Sequence, residues 1–223
     1  RLVARAWLPA GEALATRNAL AALMDAFPFA LCVPFSSTVP PGAAGAPRTG
    51  VLLRAGAHDE PPEALLERIE ALMLLDRPDA LRYQDRRHGQ RRSARLERPE
   101  GPEGHTTLAA VLLAGDTRGD AWISALLLQG LPAEAYGRQL LAPGAQAPAA
   151  LRGASQDQGR QVCGCLGVSD TAITRVLEGC EGSDGERLAA LQGQLRCGTN
   201  CGSCLPELKR MVRTTPAKAL ATP

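Results

Sequence analysis

Apolar positions recur along the chain at helical or strand spacing, separated by stretches with neither. Glu12–Phe27 sets Leu14, Leu20, Leu23 and Met24 at helical spacing and predicts a helix. Phe29–Pro34 is a short apolar run and predicts a strand. Ser36–Arg48 is rich in Pro, Gly and Ala and predicts a loop, and Val51–Leu53 a buried strand. Glu60–Leu75 carries Leu65, Leu66, Ile69, Leu72 and Met73 on one helical face, with Pro61 and Pro62 suited to its first turn. Ala80–Asp85 and Arg91–Leu96 flank Arg86–Arg87–His88–Gly89–Gln90, which predicts a hairpin with a Gly-containing turn. Leu108–Leu113 is a third strand, and Gly115–Asp116–Thr117 marks a stop and a helix cap. Ala121–Gln129 and Ala133–Leu141 predict two helices, the second opened by Pro132.

Beyond residue 141 the pattern changes. Residues 142–160 are full of Ala, Gly, Gln and Pro and read as a linker. Ser169 or Asp170 can cap a helix over Thr171–Glu178, and Ser183 or Asp184 one over Glu186–Arg196. A third helix is expected over Leu205–Val212, with Pro206 in its first turn. The fold class is thus α+β: a small antiparallel β-meander with helices, followed by a small all-α domain. The expected organisation is an α/β segment at 1–79, an α+β accessory domain at 80–141, the linker at 142–160, a helical domain at 161–213 and a flexible tail at 214–223.

Composition and charge narrow the function. The 25 Lys and Arg against 23 Asp and Glu give a net charge of +2, which excludes a strongly basic nucleic-acid protein. Aromatic residues are only 3%, too few for base-stacking platforms. There is no run of about 18 apolar residues to span a membrane, and Arg1–Ala6 does not look like a signal peptide, so a cytoplasmic location is expected. The chain starts at Arg1 and is read as a portion of something longer. The hairpin region carries Arg82, Arg86, Arg87, Arg91, Arg92, Arg95 and Arg98. It is either a docking patch for an acidic partner or a solvated sheet edge guarded by charge, and the edge is preferred. His58, His88 and His105 sit in loop-like contexts away from any cysteine pair and are assigned to the surface.

The cysteines carry the chemistry. Six of the seven lie between 163 and 204, and an odd count without a secretion signal argues against a disulfide framework. Cys163-x-Cys165 and Cys201-x-x-Cys204, thirty-five residues apart, let two loops each point two thiolates at one centre. Four thiolates can close a tetrahedral zinc site or hold a two-iron cluster. The tight C-x-C pair favours the cluster, in which each iron takes two thiolates. Both pairs lie just before predicted helix N-termini, whose amides favour an anionic centre. Cys197 could replace a ligand as Cys197-x-x-x-Cys201, but the Gly-rich loop Gly198–Cys204 favours Cys201 and Cys204. Cys180 and Cys32 read as small buried apolar residues.

Val162–Cys163–Gly164–Cys165 and Gly198–Thr199–Asn200–Cys201–Gly202–Ser203–Cys204 closely resemble the bacterioferritin-associated-ferredoxin-like [2Fe-2S] domain. That resemblance implies a small helical unit with Cys163, Cys165, Cys201 and Cys204 as the cofactor and metal ligands, and places Cys197 outside the set. The wider chain resembles the C-terminal region of the catalytic subunit of bacterial assimilatory nitrate reductase, a molybdopterin oxidoreductase. The match is most specific over Leu195–Arg210, with Tyr83-x-Asp85-x-x-x-Gly89 and Leu113–Ala114–Gly115–Asp116 in support. The middle pattern is also similar to the accessory domain of NADH-dependent nitrite reductase. By resemblance the chain has no catalytic centre of its own. It is expected to be an electron-transfer portion, relaying electrons towards a molybdenum site elsewhere, with residues 1–79 as a tail of the catalytic region. The parent enzyme would also carry molybdenum–bis-pterin guanine dinucleotide and a [4Fe-4S] cluster. Expected partners are a flavoprotein or ferredoxin donor and the remaining catalytic domains, with no nucleic acid and no membrane. The alternatives are the equivalent segment of a nitrite reductase or related flavoprotein reductase, and a zinc-stabilised interaction module. No G-x-G-x-x-G follows a predicted strand, so no bound dinucleotide is expected.

Overall fold

A computed structural model describes residues 1–36, 48–98, 105–151, 159–163, 168–199 and 202–216. The chain divides into two units, Arg1–Leu151 and Arg152–Pro223.

The first unit is built on one six-stranded antiparallel sheet. Its strands are β1 (Leu2–Leu8), β2 (Phe29–Ser36), β3 (Thr49–Gly56), β4 (Leu81–Asp85), β5 (Gln90–Glu97) and β6 (Thr107–Ala114), in the order β2-β3-β1-β6-β5-β4. The expected three-stranded meander is therefore half of a larger sheet, which takes strands from both 1–79 and 80–141. Its missing member is β1, which pairs with β3 on one side and β6 on the other. All seven residues of β1 and all eight of β6 are buried. Covered on both faces, such strands lose the apolar–polar alternation that identifies a half-buried strand.

Alternation survives in what each face touches. Leu2, Ala4, Ala6 and Leu8 of β1 share a core with Ala110, Leu112 and Ala114 of β6. Leu20 of α1 (Ala13–Ala21) and Leu66 and Ile69 of α2 (Glu63–Leu72) join that core. Trp7 points to the opposite face, where its Nε1 donates to Leu127 O of α3 (Asp120–Gln129) at 3.1 Å. At Gly50 a Cβ would collide with the Ala6 carbonyl and lie 2.5 Å from the Phe35 ring, so this crossing requires glycine.

The four predicted helices of this unit are present, three of them shorter than expected. The 12–27 helix is α1 plus a 3-10 turn at Met24–Ala26. Pro61 and Pro62 precede α2, with Pro62 at its N-cap. The 133–141 helix divides into a 3-10 turn, Glu134–Tyr136, and α4 (Gly137–Leu141). The hairpin turn is a 3-10 turn over Arg86–His88, capped by the Asp85 carboxylate and closed by Gly89 at positive φ.

The hairpin arginines divide between the sheet interior and the surface: Arg82 stands on the edge strand β4 and, with Arg86, Arg87 and Arg98, is exposed, whereas Arg92 and Arg95 are buried. Arg91, Arg92 and Arg95 stand on β5, inside the sheet rather than at its edge. Arg91 makes a two-pronged pair with Glu70 of α2, which also accepts from Ser93 Oγ at 2.5 Å. Arg92, 1% exposed, donates to Asp116 O and Leu140 O. Arg82 donates to Leu75 O and Arg77 O, Arg86 pairs with Glu63, Arg95 lies 3.9 Å from Glu97, and Arg98 pairs with Glu134. Six of the seven are thus engaged within their own unit.

The second unit has three helices, α5 (Asp170–Glu178), α6 (Asp184–Leu195) and α7 (Leu205–Thr214). A two-stranded ladder, β7 (Gln161–Cys163) with β8 (Val168–Ser169), accompanies them, so the unit is helical but not purely so. Ile173, Leu177, Leu191, Leu208 and Val212 form its buried apolar positions, each at most 1% exposed. No helix among the described residues is long and apolar enough to cross a membrane.

Candidate functional site

The second unit owes its local order to short-range caps. Ser169 Oγ accepts from the Ala172 N–H at the head of α5. Ser183 and Glu186 form a reciprocal capping box at the head of α6. The Ser183 hydrogen bonds hold the Glu186 carboxyl below its ordinary range. Pro206 lies in the first turn of α7, where a missing N–H costs nothing. These caps fix where the helices of the unit begin.

Cys163 closes β7 and pairs in register with Val168. Cys204 is the N-cap of α7. Both are buried, and their thiols interact electrostatically although forty residues separate them in sequence. One member of each predicted pair is thus brought to one place. The other members, Cys165 and Cys201, lie outside the described residues. Cys197, 0% exposed, lies within electrostatic reach of both Cys163 and Cys204. Cys180 is half-buried beyond α5, and Cys32 is buried on β2 in the other unit, where burial pushes its thiol up to about 11.

The electrostatics are those of thiols that need a cation to ionise. Burial first, then Cys163, pushes Cys197 up to about 11. Burial first, then Cys163 and Cys197, pushes Cys204 up to about 12, against a hydrogen bond from the Gly198 N–H. A metal centre bound by Cys204 would displace its proton and repay the burial. Gly198 has φ +79°, and a Cβ there would lie 2.8 Å from Leu205 Cδ2 and 3.0 Å from Leu208 Cδ1. Only glycine lets this loop pass so close to α7. Among the described residues, no three His, Cys, Asp or Glu side chains are arranged to hold a metal ion. The residues in view still suit a thiolate-bound group: buried sulfurs, an amide donor and the head of a helix.

Sequence reasoning missed Arg187, on α6 and 3% exposed. It donates to Val212 O and Thr215 O at 2.9 Å, to Pro216 O at 3.3 Å and to Leu177 O at 3.4 Å. It therefore ties the C-terminal ends of α5 and α7 together. Nothing local in the sequence separates it from a surface arginine.

The geometry describes an α+β unit with an antiparallel sheet and a mainly helical unit bearing buried thiols. No family model matches the chain, and no solved structure matches it. A nitrate reductase of Klebsiella oxytoca is 42% identical to it over 67 residues, a stretch that is 30% of this chain and 7% of that protein. The chain thus contains a nitrate-reductase-related region, an oxidoreductase relationship over a short stretch of a much longer relative.

Proposed function

We propose that residues 161–213 hold a [2Fe-2S] cluster through Cys163, Cys165, Cys201 and Cys204, and that the chain is an electron-transfer portion of a nitrate-reductase-type enzyme. The observation that supports this most is that Cys163 and Cys204, one thiol from each pair, are both buried and within interaction range of one another. The kinship with the Klebsiella nitrate reductase supplies the oxidoreductase context. A [2Fe-2S] group supplies storage for a single electron.

The chain's own residues do the rest. The four thiolates hold the group, and the Gly198 amide donates to Cys204 Sγ and moderates its charge. The N-terminus of α7 favours the anionic centre. The capped helices and Arg187 keep these atoms in place. Molybdenum–bis-pterin guanine dinucleotide and a [4Fe-4S] cluster would belong to the parent enzyme, and a flavoprotein or ferredoxin would be the donor.

The test is anaerobic iron and acid-labile sulfide analysis of the chain after reconstitution, with EPR of the dithionite-reduced sample. About two irons and two sulfides per chain, with a reduced two-iron signal, are expected. Stoichiometric zinc without sulfide would overturn the relay and leave a structural metal module.

A further inference from the structure

The two edges of the six-stranded sheet are built differently. β4, at one edge, carries Arg82 and Asp85. Charged side chains are a common guard against a further strand adding to an exposed edge. β2, at the other edge, reads Phe29–Ala30–Leu31–Cys32–Val33–Pro34–Phe35–Ser36 and has no charged residue. Among the described residues only β3 pairs with it, so the backbone groups on its outer side have no strand beside them. Pro34 indicates which groups those are. It stands opposite Val51 of β3 and has no N–H, and a sheet accepts proline on an edge strand with that nitrogen facing away from its neighbour. Alternate residues share a direction, so the amides of Ala30 and Cys32 face outward with it.

The side chains suit a strand of the same sequence. Phe29, Leu31, Val33 and Phe35 alternate onto one face, where Phe35 meets Trp7 with ring centroids 4.6 Å apart. Phe29 is 74% exposed, more than any other large apolar side chain among the described residues. An antiparallel second β2 centred on Cys32 sets Phe29 opposite Phe35, Leu31 opposite Val33 and Ala30 opposite Pro34. Each exposed Phe29 then gains an aromatic cross-strand neighbour, and each Ala30 N–H donates to a Pro34 carbonyl of the other copy. No charge is brought against apolar side chains. Every other strand of this sheet except β4 is already paired on both sides, and β4 would bring Arg82 and Asp85 to the contact. The uncharged strand that matches this edge is therefore β2 itself, and a two-fold axis closes the pairing. We propose that β2 is a dimerisation strand, pairing antiparallel with β2 of a second copy of this chain and continuing the sheet across the axis. This is independent of the cluster reading.

The experiment is sedimentation equilibrium of the full chain across micromolar concentrations under a reducing agent, with Phe29→Lys, Ala30→Pro and Leu14→Lys alongside. Phe29→Lys changes an exposed side chain and puts a charge on the edge, and Ala30→Pro removes one outward amide. Leu14→Lys changes the other exposed large apolar residue, on α1, and is the control. Tryptophan fluorescence checks that each variant keeps the sheet unit folded. Wild type and Leu14→Lys are expected as dimers, and Phe29→Lys should raise the dissociation constant about tenfold or more. Ala30→Pro should weaken the dimer in the same direction. Amide exchange at Ala30 and Cys32 should slow as wild-type concentration rises and stay fast in Phe29→Lys. A wild-type chain that sediments as a monomer throughout overturns the proposal. So does a dimer that folded Phe29→Lys leaves intact, or one in which Ala30 and Cys32 gain no protection.

Discussion

Arg187→Met removes a buried cation while keeping most of its stem volume. Among the described residues Arg187 meets no carboxylate, and it donates to four carbonyls at the ends of α5 and α7. The carbonyl ends of helices carry partial negative charge, so the guanidinium acts as a shared C-terminal cap. Two of its bonds are 2.9 Å long, and a hydrogen bond from a charged donor contributes about 1.5–3 kcal/mol. Methionine would leave those carbonyls buried without a donor, a loss of about 3–5 kcal/mol. A unit this small draws only about 3–5 kcal/mol from its core. The variant should therefore unfold residues 161–216 while leaving the sheet unit intact. Amide hydrogen exchange across α5, α6 and α7 measures the first effect. Tryptophan fluorescence measures the second, because Trp7 and Trp122, the two tryptophans, both lie in the sheet unit. Arg187→Lys, whose ammonium spans fewer carbonyls, should lose about half as much. Exchange protection within about 0.5 kcal/mol of wild type in Arg187→Met would refute the reasoning, because water would then be satisfying the carbonyls.

Other outcomes follow from the same contacts. Cys163→Ser, Cys165→Ser, Cys201→Ser and Cys204→Ser should each lose or distort the reconstituted visible spectrum, whereas Cys32→Ser and Cys180→Ser should keep it. Gly50→Ala should destabilise the sheet unit by about 1–3 kcal/mol in a urea melt followed by tryptophan fluorescence, since its Cβ meets Ala6 O and the Phe35 ring. Hydrogen bonds from the Arg118 side chain, then from the backbone, hold the Asp116 carboxyl well below its ordinary range. A depressed carboxylate stabilises the fold above its unfolded pKa of about 3.9 and loses that contribution as pH falls through the lower folded value. Asp116→Asn should thus flatten the loss of sheet-unit stability below about pH 4, and an acid limb identical to wild type would contradict this pairing.

How far the sheet was legible depends on the reach of the interactions that make it. The β4–β5 hairpin and β6 were readable because a turn signal or a continuous apolar run lies within each. β1 was not. Arg5 interrupts Leu2–Leu8, and an arginine in a run of seven reads as exposed. In the structure it is 2% exposed, with its Nε 3.6 Å from the Asp120 carboxylate at the head of α3. Asp120 also takes Arg54 from β3 and the Ser124 hydroxyl. The partner that makes burial of Arg5 tolerable is more than a hundred residues away, so no local window contains both. Arg91 with Glu70, and Arg92 with the Asp116 and Leu140 carbonyls, are likewise joined across separations of 21 to 48 residues that a short window does not span. Charge counted along the hairpin suggested a surface, whereas charge paired in space makes part of an interior.

The thiol site divides along the same line. The caps at Ser169 and Ser183 act over three residues, so their positions were fixed by sequence and the helices start where expected. The meeting of Cys163 with Cys204 was anticipated from paired spacing, a pattern that is useful only if both pairs converge. Cys197 was set aside because the Gly-rich loop 198–204 embraces Cys201 and Cys204, and Arg196 before it gives no sign of a left-handed turn; left-handed helix ends are usually glycine. Its inward path depends instead on Thr199 holding Arg196 O and on the room Gly198 leaves beneath Leu205 and Leu208. Spacing can nominate the atoms that bind a group. Burial is set by backbone conformation and packing, and Cys197 owes its full burial to them rather than to its spacing.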